Sequence, residues 1–502
     1  MTYVGAIPTT GDFKILDSIT TSSATTFNLR QGGVAVYPQS SSHVLCVLNG
    51  ILQTGGSSFN IVNDTIVFAS SLASSDVINQ ILVLGNVNDI GTPSDDTITA
   101  AKLNNTAISG LSALAATPDD TDELMISDAG TLKRIDYSYL KSSVVNRPNA
   151  NPIIINGNMN IWQRSTSAVT MSDGYYNVDR YRGEENTSGS ATWSRSTSVP
   201  DDTGLPYSLQ VDCTGTDTSI SSSDKCVIQH TIEAQNIAGL VKYGTSNAEK
   251  ITIAFWCKSN QTGQHSVGLR KLDNTQYCQP KTYTISSADT WEKKVLTFSA
   301  LTSTGGAINQ DNGDGLQIFW CLTSGSGLQG TADTWTQTNE GAIAVSGDVN
   351  FLSSTSNDFY LTGVQLEIGE YTSSTLPPFQ HESFADNLHR CERYFQVVAK
   401  GVDNARIVNA YNYDGTNTEA TYNYFPTMRA TPSIDQDTGT GYFEFRGNND
   451  NSAFDSFGGM DGGSGHHAVR IYGTGGGSSS AGQAGSYRLG NASASIALQS
   501  EL

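Results

Sequence analysis

Short apolar segments separated by turn-forming residues recur along almost the whole chain, and they predict a protein built mainly from β-strands. The segment 227–233 (VIQHTIE) alternates, so that its isoleucines share one face, as in a half-buried strand. The segments 251–257 (ITIAFWC) and 316–322 (LQIFWCL) are apolar almost throughout, which favours central strands covered on both faces. About eight or more such strands, joined by loops rich in Gly, Ser and Thr, predict a β-sandwich over 151–400.

The first part of the chain predicts a small β-domain over residues 1–88. Its apolar runs are interrupted at Asn49-Gly50 and at Asn63-Asp64, and such pairs favour tight hairpin turns. A generic small β-domain without a special role is the simpler alternative.

Residues 89–150 have a different composition and predict a linker or shaft. Apolar residues at 107–116 are spaced by three, which indicates a helix too short to be stable alone. Residues 122–140 predict a hairpin that turns at Asp128-Ala129-Gly130. Because a lone hairpin is marginal in water, we infer that several chains interwind through this segment.

The clearest helix signal lies at 383–400, and a second β-module follows it over 401–502. Ser383 is suited to cap the helix, and Gly401 to end it. One apolar stripe is formed by Phe384, Leu388, Cys391 and Phe395. The module over 401–502 contains several short apolar runs and a stretch rich in Gly and Ser, and it predicts a β tip.

Composition excludes several classes of function. The 28 Lys and Arg residues against 48 Asp and Glu residues give a net charge of −20, whereas nucleic-acid binding usually leaves a basic patch. The 502 residues suggest about three or four domains. The seven cysteines are odd in number and form no CxxC pair, so we expect synthesis in a reducing cytoplasm; a Cys213–Cys226 bridge is the weaker alternative. We expect no signal peptide and no membrane insertion.

Motifs for catalysis are missing from the sequence. His381-Glu382 begins like a zinc-protease helix, but position 385 is Ala, so a second histidine ligand is lacking. Residues 311–315 depart from the calcium-loop pattern. We therefore expect a non-enzymatic protein with no cofactor and no bound metal. Paired carboxylates for glycoside hydrolysis stay open, because their separation is spatial.

Aromatic residues carry the better binding signal, because sugars pack their C–H faces on aromatic rings and form hydrogen bonds through their hydroxyl groups. Trp256 and Trp320 lie in apolar runs, which favours core packing. Tyr175 and Tyr176 follow a turn at Asp173-Gly174, so we expect them at the surface and take them as candidate ligand contacts.

The tip is the preferred candidate site, because binding residues concentrate in loops. Its candidates are Tyr411 and Tyr413 on one strand face, Tyr422 and Tyr424 on a face of the partner strand, and His466 and His467 in a Gly-rich loop. The tyrosines could instead form an aromatic ladder that only stabilises the hairpin, or an inter-chain contact. The histidines of neighbouring chains could gather a metal ion, or could simply be solvated.

Two stretches bracket the predicted sandwich. The first is INGNMNIWQR (155–164), followed by Asp179-Arg180-Tyr181; the second runs from FYLTGVQLEIG to LHRCERYF (359–395). Together they resemble the carbohydrate-binding-like jelly-roll module of bacteriophage tail fibres, which has Trp where this chain has Tyr181. Residues 391–395 (CERYF) stand in place of the family's closing motif CQRYY.

Three shorter segments are similar to other parts of such fibres. HVLCVLNG (43–50) and the runs after it resemble the N-terminal domain that joins a fibre to the tail. Residues 122–140 resemble a linker repeat, and FPTMRATPS (425–433) resembles a strand that follows the helix in fibre tips.

The resemblance implies a tail fibre in the phage virion, made in the host cytoplasm. Its fold would be mostly β, a chain of sandwich or jelly-roll modules in an elongated homotrimer. Residues 1–88 would attach to a phage tail protein, and 151–502 would recognise host surface polysaccharide or lipopolysaccharide. A structural tail component without receptor contact is one alternative, and a glycan depolymerase is another.

Overall fold

The computed structural model describes residues 13–84, 118–144, 151–447, 450–458, 467–474 and 480–502, together with 111, 112, 114, 116 and 465. The chain divides into two compact units, Met1–Pro118 and Asp119–Leu502. Most of the helix predicted at 107–116 lies outside the described residues, as does His466. The predicted domain boundaries after residues 88 and 150 also fall outside them.

The first unit is a small β-domain. Its strands are β1 (Lys14–Ile15), β2 (Thr26–Asn28), β3 (Arg30–Gln31), β4 (Val34–Ala35), β5 (Val44–Leu48), β6 (Ile51–Gln53), β7 (Phe59–Val62), β8 (Thr65–Phe68) and β9 (Ile78–Val83). A four-stranded sheet β1-β9-β5-β6 and a three-stranded sheet β2-β8-β7 enclose a core that includes Leu29, Cys46 and Phe59. The hairpin predicted at Asn49-Gly50 is confirmed: it joins β5 to β6, and both turn residues have positive φ.

The second unit begins with a two-stranded hairpin and a helix. The elements are β10 (Glu123–Asp128), β11 (Thr131–Asp136) and α1 (Tyr137–Val144). The predicted turn is confirmed, with Ala129 and Gly130 at positive φ. Every residue of β10 is exposed, and Met125 is 73% exposed. Among the described residues, the two strands form a sheet only with each other.

Two six-stranded antiparallel sheets form the predicted sandwich. Its elements are β12 (Val169–Thr170), β13 (Tyr181–Glu185), β14 (Ser190–Ser196), β15 (Ser208–Gly215), β16 (Lys225–Glu233), α2 (Ala234–Val241), β17 (Ile251–Ser259), β18 (Gly263–Lys271), β19 (Tyr277–Ile285), β20 (Glu292–Phe298), β21 (Asp314–Ser324), β22 (Gln329–Gly330), β23 (Thr336–Gln337), β24 (Ala344–Val345) and β25 (Asp358–Ile368). The first sheet has the order β12-β14-β15-β25-β17-β20, and the second β13-β16-β21-β18-β19-β23.

The sandwich core lies between these sheets and explains their apolar runs. Ile228 and Ile232 of β16 point into it, as do Phe255 of β17 and Trp320 of β21. The far face of the second sheet is covered as well, because Ile343 and its neighbours pack on Phe319. The expectation for Trp320 is therefore confirmed. Trp256 is only half buried and lies on the outer face of the first sheet, so its predicted place in the core is wrong.

The last part of the second unit is a β-module that begins inside the segment predicted as helix. Its elements are α3 (Phe384–Glu392), β26 (Phe395–Lys400), β27 (Arg406–Asn412), β28 (Asn417–Asn423), β29 (Ser433–Gln436), β30 (Phe443–Gly447), β31 (Asp450–Phe454), β32 (Phe457–Gly458), β33 (Ala468–Thr474), β34 (Ala484–Leu489) and β35 (Ser495–Gln499). A seven-stranded sheet β31-β30-β34-β27-β28-β33-β32 packs with a three-stranded sheet β26-β35-β29.

The helix predicted over 383–400 is correct at its start and wrong beyond residue 392. Ser383 caps α3 by accepting a hydrogen bond from the backbone N–H of Asp386. The chain then becomes β26, which pairs with β35. Tertiary pairing decides the change, because residues 396–399 (QVVA) include two β-branched valines that suit a strand as well as a helix. Gly401 follows a strand rather than a helix.

Three further findings concern chemistry. All seven cysteines are buried and free, so the alternative Cys213–Cys226 bridge is not formed. Within the described ranges, no group of three or more His, Cys, Asp or Glu side chains could hold a metal ion. No helix in the described part of the chain has the length and apolar character to cross a membrane.

Candidate functional site

The two sequence stretches that bracket the sandwich meet at one end of it. Buried Asn156 has positive φ, and its Nδ2 donates to the carbonyl oxygens of Ile161 and Asp179. Asn387 of α3 reaches the same loop, where its Oδ1 accepts a hydrogen bond at 3.1 Å from the backbone N–H of Asn156. The motif residues therefore fix the loop 155–164 against the helix.

A cluster of buried charges lies beside this loop. The carboxylate of Glu501 pairs with Arg180, and with Arg164 at 3.1 Å; the three side chains are 8%, 1% and 6% exposed. The guanidinium carbon of Arg180 lies 3.5 Å from the ring centroid of Tyr394, and that of Arg164 lies 3.5 Å from that of Phe395. These cation–π and ionic contacts, which are stronger when desolvated, anchor the segment after β35 to the sandwich.

A pocket opens between the loop 163–176 of the sandwich and the sheet β26-β35-β29. This inter-module pocket has a volume of about 410 Å³. Its polar and aromatic lining includes Arg164, Tyr175, Tyr176, Lys400, Asp435 and Asp437. The structure thus places both predicted tyrosines of the sandwich in one cavity.

The two tyrosines of the inter-module pocket differ in exposure. Tyr175 is half buried and donates a hydrogen bond at 2.6 Å to the carbonyl oxygen of Leu502. Burial, assisted by the negative charge of Glu501, raises the pKa of Tyr175 to about 12, so its hydroxyl stays protonated. Tyr176 is 41% exposed, and its hydroxyl group donates to the carbonyl oxygen of Asp173.

A second aromatic surface lies on the outer face of the first sandwich sheet. We call it the aromatic platform. It consists of half-buried side chains from three strands and of the residue directly before β20. These are Gln210 and Asp212 of β15, Trp256 and Lys258 of β17, Asp358 and Tyr360 of β25, and Trp291. Strand register places Tyr360 opposite both Gln210 and Lys258. The Trp291 and Tyr360 ring centroids lie 6.1 Å apart, and Lys258 Nζ lies 4.0 Å from the Tyr360 centroid.

Carboxylates surround the aromatic rings of the platform. Asp212 and Asp358 are directly opposite each other on β15 and β25. Burial raises the pKa of Asp358, and Asp289 and Asp212 raise it further. Burial and the charge of Asp358 raise the pKa of Tyr360 to about 12. The platform therefore places half-buried aromatic rings beside hydrogen-bond donors and acceptors, the kinds of group that can contact a saccharide.

The four tyrosines predicted at the tip are not brought together. Strand register pairs Tyr411 with Glu419, which places the pair Tyr411 and Tyr413 on the outer face of the sheet, 44% and 58% exposed. Tyr422 packs on the core of the module, and Tyr424 is 5% exposed. A cross-strand aromatic ladder is therefore not formed. A ligand role for these tyrosines stays a prediction.

Exposed His467 accompanies the tip residues. Its Nδ1 lies 3.1 Å from Thr427 Oγ1. The metal site considered for His466 and His467 stays untested, because His466 lies outside the described residues. Arg470 pairs with the carboxylate of Glu419 on the same sheet.

Sequence reasoning missed the aromatic platform, although one signal pointed to it. The segment 251–257 looks uniformly apolar, but Lys258 follows Trp256 by two residues and so shares its face. A charged residue on that face indicates that it reaches solvent. Tyr360 lies in β25 and Trp291 directly precedes β20, each next to a polar residue, and only the sheet order brings them to Lys258.

No protein-family model and no curated protein matches this chain. Several solved structures do match it. The enzymatically active domain of tailspike protein 4 of bacteriophage CBA120 is 12% identical with a TM-score of 0.23, and the match covers 43% of this chain and 21% of that one.

Several of the matches are carbohydrate-binding modules aligned over nearly their full length, and two of them illustrate this. The family 11 carbohydrate-binding module of a cellulosomal cellulase of Clostridium thermocellum is 11% identical with a TM-score of 0.21, and the match covers 42% of this chain and 99% of that one. A xylan-binding domain from Paenibacillus barcinonensis is 7% identical with a TM-score of 0.21, and it too is matched over 42% of this chain and 99% of its own.

Proposed function

We propose that this chain is a non-enzymatic receptor-binding fibre protein of a phage tail, and that it recognises a glycan of the host cell surface. The observation that carries the proposal is the aromatic platform, where half-buried rings of Trp256, Trp291 and Tyr360 stand among carboxylate, amide and ammonium groups. The sequence resemblance to phage tail fibres supplies the biological setting. Binding on such a surface needs no cofactor.

Homotrimerisation is part of the proposal and is supported by the hairpin β10–β11. This hairpin exposes Leu124, Met125 and Ile126, at 41%, 73% and 39%. A two-stranded hairpin is marginal in water, and exposed apolar strands pair readily with other chains. Packing of three copies would cover these side chains. Three sites on one fibre would also raise avidity without new contacts.

The direct test of glycan recognition is binding of the purified full-length protein to an array of bacterial surface polysaccharides. We expect Tyr360→Ala to weaken binding about tenfold or more, because a buried aromatic anchor contributes on the order of 2 kcal/mol. Tyr413→Ala, which removes an exposed tip tyrosine, serves as the matched control and should bind like the parent chain. If Tyr360→Ala retained binding and Tyr413→Ala lost it, the result would contradict a site on the platform and indicate a site at the tip.

A structural tail component without receptor contact is the first alternative. Normal adsorption of particles whose fibres lack 401–502 and also carry Tyr360→Ala would favour it, because the tip and the platform anchor are then both lost. Measurement of the mass of the intact protein in solution addresses the assembly separately, since a stable monomer would contradict the fibre.

A glycan depolymerase is the second alternative, and one observation favours it. Asp212 and Asp358 are directly opposed across two strands, which brings their Cβ atoms to about 4.5–5.5 Å, and retaining glycosidases use two carboxyl groups about 5–5.5 Å apart. Release of oligosaccharide from host polysaccharide by the parent chain, and its loss in Asp358→Asn, would establish hydrolysis. We expect no release.

A further inference from the structure

We propose that the inter-module pocket is a second saccharide site, distinct from the aromatic platform, and that it takes one or two uncharged sugar rings. This inference rests on the proposed function in that it assigns the pocket a glycan ligand. The pocket volume of about 410 Å³ falls at the lower end of the range of about 300–1,000 Å³ typical of small-molecule sites. A short ligand therefore fits better than an extended chain.

The first observation is an arginine whose hydrogen-bonding capacity is not used. Arg164 lines the pocket and is 6% exposed. Its Nη2 contacts Glu501, whereas its buried Nε and Nη1 have no hydrogen-bond partner among the described residues. An unsatisfied buried donor costs on the order of 1–3 kcal/mol, and more when charged. Both nitrogens are buried in this structure, so a ligand oxygen would reach them only after a small shift of the pocket lining, and the hydrogen bond would then recover part of that cost.

The second observation is the charge around this arginine. Arg164 and Arg180 share the carboxylate of Glu501. Asp179 is a further acid near Arg164: burial raises the pKa of the Asp179 carboxyl group, and the positive charge of Arg164 opposes that shift. At the rim, Asp435 and Asp437 add two exposed acids against the single ammonium of Lys400. A carboxylate or phosphate ligand would meet this acidic rim, so neutral hydroxyl and carbonyl oxygens are the acceptors that the pocket favours.

The third observation is the shape of the wall. Tyr175 is held by its hydrogen bond to Leu502, while Tyr176 next to it stays 41% exposed. Phe395 and Val397 add apolar surface on the side of the C-terminal module. The combination of an exposed tyrosine ring, carboxylates and a guanidinium matches a sugar, which has apolar C–H faces and a belt of hydroxyl groups. The site exists only when both modules are docked, because each contributes one wall.

The test is saturation-transfer NMR on the full chain with a panel of methyl hexosides and N-acetylglucosamine, and with glucuronate as the anionic comparison. We expect at least one neutral sugar to bind at millimolar concentration and glucuronate to bind more weakly. Tyr176→Ala should reduce this binding about tenfold, because it removes the exposed ring and only one hydrogen bond, to Asp173. Asp435→Asn should retain the fold and lessen the discrimination against glucuronate.

A matched variant separates this site from the platform. Tyr360→Ala should weaken binding to the polysaccharide array, and it should reduce the small-sugar signal less than Tyr176→Ala does. If no neutral sugar binds, or if glucuronate binds best, the inference is overturned. If Tyr360→Ala rather than Tyr176→Ala removes the signal, the pocket is not the site, although glycan recognition by the platform stands. If the array shows no binding but Tyr176→Ala abolishes a hexoside signal, the pocket stands without the proposed function of the platform.

Discussion

Replacement of Glu501 by Ala should release the C-terminal module from the sandwich more than any surface change. Glu501 is the shared partner of Arg164 and Arg180, and all three side chains are at least nine-tenths buried. Removal of one member of a buried ion pair leaves an uncompensated charge and typically costs about 3–5 kcal/mol. Arg180 would retain its hydrogen bond from Nη2 to the carbonyl oxygen of Thr231, so we expect the lower half of that range.

The assay must report on the docked segment rather than on the sandwich. All six tryptophans lie between residues 162 and 335, so their fluorescence follows the sandwich. Hydrogen–deuterium exchange of the β35 amides reports on the module directly. A loss of about 3 kcal/mol corresponds to exchange about 10²-fold faster. Glu501→Gln should cause a smaller loss, because an amide oxygen can still accept hydrogen bonds from one arginine.

The matched control is Glu370→Ala, which breaks a pair with Lys250 at 2.5 Å. Those side chains are 64% and 48% exposed, and exposed pairs contribute about 0–1 kcal/mol. If exchange of β35 in Glu501→Ala were no faster than in Glu370→Ala, the charge cluster would not be what holds the segment.

Three further predictions concern stability. Burial lowers the pKa of His230 to about 3 and that of His265 to about 4, below the unfolded value of about 6.5, so the unfolded chain binds protons first as the pH falls. The free energy of unfolding, measured by urea titration, should therefore fall by up to about 1.4 kcal/mol per histidine for each pH unit between 6.5 and these values. His265→Gln should reduce this slope. Lys271→Met should lower the free energy of unfolding by about 1–3 kcal/mol, because the buried ammonium group donates to the carbonyl oxygens of Thr275 at 3.1 Å and Gly305 at 3.2 Å, whereas exposed Lys293→Met should change it little. Gly157→Ala should lower the melting temperature, since a Cβ would lie 2.1 Å from the carbonyl oxygen of Val364. Gly33→Ser serves as the contrast at a turn, because a Cβ there would meet no atom of the described residues within 4 Å, and it should lower the melting temperature less.

The sequence alone determined the class of fold and several turns. Strand length and alternation are local properties, and so are the positive φ angles that Asn49 and Gly50 adopt in their hairpin. Capping is also local, and Ser383 begins α3 as its position before an apolar stripe indicates. The presence of Tyr175 and Tyr176 near a turn was enough to select them as candidate contacts.

Tertiary structure decided the elements whose local preference is balanced. Residues 395–400 follow a helix and could continue it, but pairing with β35 makes them a strand. Tyr411 and Tyr422 lie in adjacent strands, yet the register places them on opposite faces of the sheet. A shift by one residue reverses the direction of every side chain in a strand, and alternation within a single strand does not fix its register against the next.

The assembly of the two candidate sites was also decided by the tertiary structure. Asp212, Lys258, Trp291 and Tyr360 come from four separate parts of the sequence, and only the order β15-β25-β17-β20 joins them. The pocket beside Arg164 likewise requires Glu501, far away along the chain, to neutralise a buried guanidinium. Local sequence determines which residues form strands and turns, because backbone preferences act over a few residues. The binding surfaces depend instead on contacts between distant segments, and burial and charge pairing in the folded chain select those contacts.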